Sequence, residues 1–151
     1  MKGRRVLVTG MGGELGSLVA SMTERTEWAG DILGFDVDPP RRNLKRAKFV
    51  RVSATDTERM TELVADFNPH VILHVGVWEP HARLATEQAE ECTESVAKAV
   101  FQAAHQATSL ETAVVRSGVE IYGAGSYSPD IATESTPVAP TTTYGRMCAV
   151  I

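Results

Sequence analysis

Only two cysteines, Cys92 and Cys148, occur in 151 residues, and they lie far apart with no metal-ligand spacing. A disulfide framework and a cysteine-built metal centre are therefore not expected, and a reducing compartment, the cytoplasm, is. Long apolar runs are also lacking. No window approaches the roughly 18 to 20 apolar residues a membrane span needs. Lys2, Arg4 and Arg5 precede an apolar run, but Val6–Val8 is too short for a signal h-region. Charge of one sign is not in excess: the net charge is −4, which gives no reason to expect nucleic acid or an anionic membrane as a partner. One local basic run, Arg41, Arg42, Lys45, Arg46 and Lys48, reads as a solvated loop and strand edge. Aromatic residues make up 6%, and Trp28 and Trp78 are assigned to packing, with Trp78 also placed to line a crevice after the fourth strand. His70, His74, His81 and His105 share no metal spacing, and no metal site is expected. His74 stands in an apolar strand and reads as a core histidine.

What remains is ordinary for one soluble globular domain: 43% hydrophobic and 23% charged residues. The informative stretch is Val6-Leu7-Val8-Thr9-Gly10-Met11-Gly12-Gly13-Glu14-Leu15-Gly16. Apolar β-favouring residues run into glycines spaced three apart, Gly10, Gly13 and Gly16, and a helix follows. Glycine lets backbone N–H groups approach an anion without a Cβ in the way. The helix behind the turn aims its positive end at the same place. The pattern predicts a pyrophosphate site, with Gly10, Gly13, Glu14, Leu15 and Gly16 as its contacts.

Strand and helix patterns then alternate. Strands are predicted at Arg5–Thr9, Asp31–Asp36, Lys48–Ser53, His70–Val75 and Thr112–Ser117. Helices are predicted at Leu15–Glu24, with Leu15, Leu18, Val19 and Met22 as its apolar stripe, from Asp56 to Phe67, over Ala85–Thr108 and from Tyr144 to Ile151. The segment between Gly118 and Thr143 reads as loop. Such alternation with short turns implies a doubly wound, Rossmann-type parallel sheet in an α/β fold, ordered 3-2-1-4-5. Its ligand crevice lies at the carboxyl ends of the strands, where the order reverses beside strand one.

Two further places fit that crevice. Asp36 closes strand two, where a carboxylate accepts hydrogen bonds from the adenosine ribose hydroxyls and repels a 2′-phosphate. That favours NAD over NADP, although Arg41 and Arg42 lie nearby. An Asp before Pro39-Pro40 can also be only a turn former, but the glycine turn upstream favours ribose binding. Val75-Gly76-Val77 ends strand four without bulk, which lets backbone lie against a cofactor ribose or simply terminates the strand.

These residues carry a family resemblance. Thr9-Gly10-Met11-Gly12-Gly13-Glu14-Leu15-Gly16 fits a Thr-Gly-x-x-Gly-x-x-Gly turn. Leu73-His74-Val75-Gly76-Val77 resembles Ile-His-Leu-Ala-Ala, and Ile121-Tyr122-Gly123 resembles Val-Tyr-Gly. Glu134-Ser135-Thr136-Pro137-Val138-Ala139-Pro140, followed by Tyr144-Gly145-Arg146, resembles Glu-x-x-Pro-x-x-Pro leading to Tyr-Gly-x-x-Lys. In this order the motifs resemble the first half of an extended short-chain dehydrogenase/reductase of the NAD-dependent epimerase/dehydratase type. The resemblance implies NAD as cofactor, with Ser53 and Ala54 at the adenine. It implies a nucleotide sugar, or another small hydroxyl or carbonyl compound, as substrate. A homodimer through helix 85–108 and the helix beginning at Tyr144 is also implied. Residues 1–151 would form the NAD(P)-binding domain, the family's C-terminal substrate-binding part being absent.

In that family a tyrosine moves the proton, a lysine four residues on lowers its pKa, and a serine or threonine orients the substrate oxygen. Tyr144 matches the tyrosine. Cys148 stands at the lysine position and Gly118 at the serine or threonine position. Arg146 lies on a different helical face, Lys98 has only its charge to offer, and Glu120 stands where nucleotide-sugar dehydratases carry a glutamate. Thr93 replaces an asparagine. The expectations are therefore an NAD-dependent epimerase, dehydratase or reductase, or alternatively a non-catalytic dinucleotide-binding module or a fragment of a larger enzyme.

Overall fold

The computed structural model describes residues 3–79 and 84–151. His81 and Lys2, which entered the sequence argument, lie outside the described residues. Strands β1 (Arg4–Thr9), β2 (Ala29–Asp36), β3 (Lys48–Arg51), β4 (Val71–His74) and β5 (Thr112–Val115) form one sheet in the order β3-β2-β1-β4-β5. Every pairing is parallel. Helices α1 (Glu14–Thr23), α2 (Thr57–Phe67), α3 (Thr86–His105) and α4 (Thr143–Val150) connect or follow the strands. The order and the element sequence agree with the expectation.

The register places the strand ends together. Thr9 pairs with Phe35 on one side and His74 on the other, and His74 pairs with Val115. Two apolar layers fix that arrangement. Leu7, Phe35 and Ile72 pack on Met60, Val64, Val96 and Val100 from α2 and α3. Val6, Val8 and Ile32 pack on Met11 and Ala20 on the other side.

Boundaries shift for local reasons. β3 ends at Arg51 rather than Ser53: the Val52 amide still reaches the Asp36 carbonyl at 3.0 Å, but Ser53 then turns back, its carbonyl accepting from the Asp56 amide at 3.1 Å. Asp56 caps α2 by accepting from the Arg59 amide at 3.1 Å, and Asn68 ends it in the left-handed region. The 118–143 segment is not uniform loop; 119–122 and 125–127 form short 3-10 turns.

Of the four apolar residues assigned to the α1 stripe, Val19 packs partly against the core and the other three do not. Leu15, Leu18 and Met22 face outward at 41%, 38% and 60% exposure. The buried face is Gly16, Ser17, Ala20 and Thr23. Small residues win because the helix start lies against the glycine turn: a Cβ at Gly16 would meet the Gly10 carbonyl oxygen at 1.9 Å. Ser17 Oγ also donates to the Met11 carbonyl at 2.8 Å. On α3 the expected stripe is where it was placed, with Val96, Ala99, Val100, Ala103 and Ala104 inside the core.

Candidate dinucleotide crevice and the Tyr144 cluster

A crevice of about 250 Å³ opens at the carboxyl ends of β1, β2 and β4. Gly10, Gly13, Glu14, Leu15 and Gly16 line it from one side. Asp36 and Arg41 line it from the second strand and the loop beyond, and Val75, Gly76 and Val77 from the fourth. Ser53 and Ala54 line a smaller cavity beside it, together with Asp36 and Trp78. Eleven sequence-nominated positions thus fall at two adjoining hollows.

The glycines divide by task. Gly10 has φ +71°, and a Cβ there would stand 2.6 Å from Gly76 backbone. Gly76 is therefore a partner of the turn and not only a strand terminator. Gly12, which the three-residue spacing passed over, carries as much constraint: a Cβ would lie 2.1 Å from the Asp38 carbonyl oxygen. Gly13 differs, since a Cβ there meets only the Gly10 oxygen, at 3.4 Å. It stands at the N-cap of α1 and makes no side-chain hydrogen bond to the first-turn N–H groups, which leaves its side of the turn open.

Asp36 braces this turn. One carboxylate oxygen accepts from the Gly12 amide at 2.9 Å and the other from the Val37 amide at 2.6 Å. Both roles read from the sequence, turn former and crevice carboxylate, meet in one residue. The Glu14 carboxylate takes Arg42 at 2.8 Å, which turns part of the basic run into a strap. Beneath the turn, Thr9 Oγ1 lies 2.8 Å from His74 Nδ1 and accepts from the Gly76 amide at 3.4 Å. His74 is fully buried, its Nε2 has no partner among the described residues, and burial pushes its pKa down to about 4. It is a core histidine as expected, but not a fully satisfied one, since one ring nitrogen stays unpaired among the described residues. Thr93 is buried on α3 and its hydroxyl accepts from the Trp78 amide at 3.1 Å, which ties the crevice wall to the helix. No cluster of three His, Cys, Asp or Glu residues able to hold a metal occurs among the described residues.

Tyr144 stands in the first turn of α4, where Thr142 caps the helix by accepting from the Gly145 amide at 3.0 Å. Its hydroxyl lies 3.2 Å from Nη2 of Arg116, which follows β5 and lines the crevice. The same guanidinium nitrogen pairs with Glu79. Desolvation by burial, then a hydrogen bond donated to Cys148, push the Tyr144 phenol up to about 12, with Arg116 pulling the other way. The phenol therefore keeps its proton at neutral pH. Burial likewise raises the Cys148 thiol. Gly118 accommodates the tyrosine ring: a Cβ there would stand 2.9 Å from Tyr144 Cε1.

The other charges considered at Tyr144 are engaged elsewhere. Lys98 pairs with Glu94 at 2.9 Å, Arg146 bonds Thr143 on the exposed face, and Glu120 accepts from Thr142 at the helix cap. Arg116 is the functional side chain that sequence reasoning missed. It lies two residues before Gly118 in the strand-five motif, and that adjacency was the available signal.

Comparison with known proteins agrees with the sheet and the turn. The family model described as NAD dependent epimerase/dehydratase family matches residues 6–149. Methionine adenosyltransferase 2 subunit beta of Rattus norvegicus is 41% identical over 71 residues, covering 47% of this chain and 19% of that protein. The Bos taurus counterpart is 33% identical over 101 residues, covering 63% of this chain and 28% of that protein. The chain thus spans less than a third of these relatives. Among solved structures, the Bordetella bronchiseptica enzyme WbmG, crystallised with NAD and UDP, superposes with a TM-score of 0.78 at 20% identity, over 97% of this chain and 47% of that one. UDP-glucose-4-epimerase of Stenotrophomonas maltophila, with bound NAD and formylated UDP-arabinopyranose, gives 0.75 at 20%, over 97% and 46%. The chain belongs to the NAD-dependent epimerase/dehydratase family.

Proposed function

We propose that this chain binds NAD in the Gly10–Gly76 crevice and forms the dinucleotide-binding domain of an epimerase/dehydratase-type protein. One observation carries the reading: the Gly10–Gly16 turn, the Asp36 carboxylate and the bare Gly76 backbone converge on a single crevice. The uncapped first turn of α1 would take the pyrophosphate, Asp36 the adenosine ribose, and Ser53 and Ala54 the adenine. Asp36 disfavours a 2′-phosphate and so selects NAD over NADP. Bound NAD supplies hydride acceptance and donation. Tyr144 holds or moves the proton at its hydroxyl. The crystallised neighbours' ligands point to a nucleotide sugar, or a similar hydroxyl or carbonyl compound, as substrate.

A second reading is a dinucleotide-binding subunit without chemistry. Gly118 and Cys148 favour it, because they leave Tyr144 without a hydroxyl and a lysine beside it, and the curated relatives are named as a subunit. Self-association through α3 and α4 belongs to both readings, and a groove between these helices is lined by Thr93, Glu94, Arg146 and Met147. A cytoplasmic location suits the two free thiols. No helix among the described residues is long and apolar enough to cross a membrane.

Calorimetric titration with NAD and NADP tests the shared core. Heat and a raised melting temperature with NAD are expected; neither response with either nucleotide overturns both readings. Turnover of a nucleotide sugar by the NAD-loaded protein then separates the first reading from the second.

A further inference from the structure

A phenol that gives up a proton next to a buried thiol needs a cation to hold the resulting oxyanion. At the position one helical turn beyond Tyr144 stands Cys148, which is uncharged and takes the phenol's hydrogen bond. The positive charge comes from another element. Arg116 leaves β5, with its amide held to the His74 carbonyl at 2.8 Å, and brings Nη2 to 3.2 Å from the Tyr144 oxygen. Its side chain is 25% exposed, and Glu79, arriving from beyond β4, pairs with the same guanidinium nitrogen. Gly118 opens the space that brings the tyrosine ring next to this group.

We propose that Arg116 is the cation that serves Tyr144 in this protein, a positioning residue that holds the phenol oxygen at the crevice while Glu79 holds Arg116. The inference deepens the proposed function, since it concerns the proton carrier of the same site. Arg116 donates to the phenol oxygen, and the phenol donates to Cys148. A substrate oxygen entering the crevice takes that donated bond in place of the thiol. When the phenol proton passes to that substrate oxygen, the charge left on the phenol oxygen already faces a guanidinium. The groups facing Tyr144 are Arg116 from β5, Glu79 from the β4 end and Cys148 on its own helix, with Glu120 acting on Cys148. Arg116 favours the phenolate, and Cys148 and Glu79 disfavour it.

The test reads the phenol itself and uses no dinucleotide, so its failure leaves NAD binding untouched. A fluorinated tyrosine at position 144, intrinsically more acidic, brings its titration below the alkaline unfolding range, and fluorine NMR follows it. Arg116→Gln is expected to raise the midpoint by about one pH unit, and Arg116→Lys to restore most of the shift. Arg116→Met, which keeps the side-chain length without the charge, is expected to raise the midpoint likewise, and it keeps the test decisive if Arg116→Gln fails to fold. A midpoint unmoved by a folded Arg116→Gln or Arg116→Met overturns the proposal. Equal shifts in Arg116→Gln and Arg116→Lys would also overturn it, because they would reduce Arg116 to packing.

Discussion

At the scale of single residues, the glycines of the first turn have different physical duties. Gly10→Ala places a side chain at φ +71° and 2.6 Å from Gly76, so it is expected to lower the melting temperature, with backbone strain alone costing about 1–3 kcal/mol. Gly13→Ala meets no such obstacle. It is expected to melt like the parent but to bind NAD about tenfold more weakly, because its methyl group enters the space the pyrophosphate would use. Asp36 has two duties as well. Asp36→Ala removes a brace of the turn and a ribose acceptor together, so calorimetry is expected to show NAD losing more affinity than NADP. Equal losses would confine Asp36 to the bracing hydrogen bond. The sequence made Gly10, Gly16 and Asp36 legible through spacing along one chain. Arg116 and Gly12 were not legible, because their partners, Tyr144 and Asp38, are set by tertiary packing and not by spacing.

Among elements, β4 carries a built-in pH response. His74 is buried in it with a pKa near 4, against 6.5 for the free group. Above 6.5 the residue is neutral in both folded and unfolded chains. As pH falls from 6.5 toward 4, the unfolded chain takes up a proton that the folded chain refuses, so stability drops by about 3 kcal/mol at most. Denaturant titrations across that window are expected to show the loss, and His74→Gln, which keeps a polar group near Thr9, is expected to flatten it. An unchanged slope in the variant would assign the acid sensitivity to other groups. Strands and their order were readable from apolar runs separated by helix signals, as in β1 and β4. The facing of α1 was not: its stripe of Leu15, Leu18 and Met22 has helical spacing, yet the close contact of Gly16 with Gly10 turns the small residues inward. Periodicity shows that a helix has two faces; contact with the turn decides which one is buried.

On the scale of the whole molecule, the sheet has an uncovered side. All four residues of β5 are exposed, and Val114 shows 54% of its surface at a sheet edge. Bare apolar edges pair with other chains. Val114→Lys is nonetheless expected to leave both NAD affinity and concentration-dependent association through α3 and α4 unchanged in sedimentation; a fall in association would place the contact on the β5 edge instead. The family's fold was legible in the order of weak motifs along the chain, since parallel topology follows from alternation. The arrangement around Tyr144 was legible only in outline, because Arg116, which faces its hydroxyl, comes from the segment after β5 and not from α4. A glycine turn that is a dinucleotide site, and not merely a structural corner, must bind NAD. The most direct measurement is calorimetric titration of NAD into the parent chain and into Gly13→Ala, with melting temperatures taken in parallel. Binding to the parent, about tenfold weaker binding to the variant and equal melting temperatures are predicted; no binding to the parent, or equal binding to both, would leave the turn a structural corner.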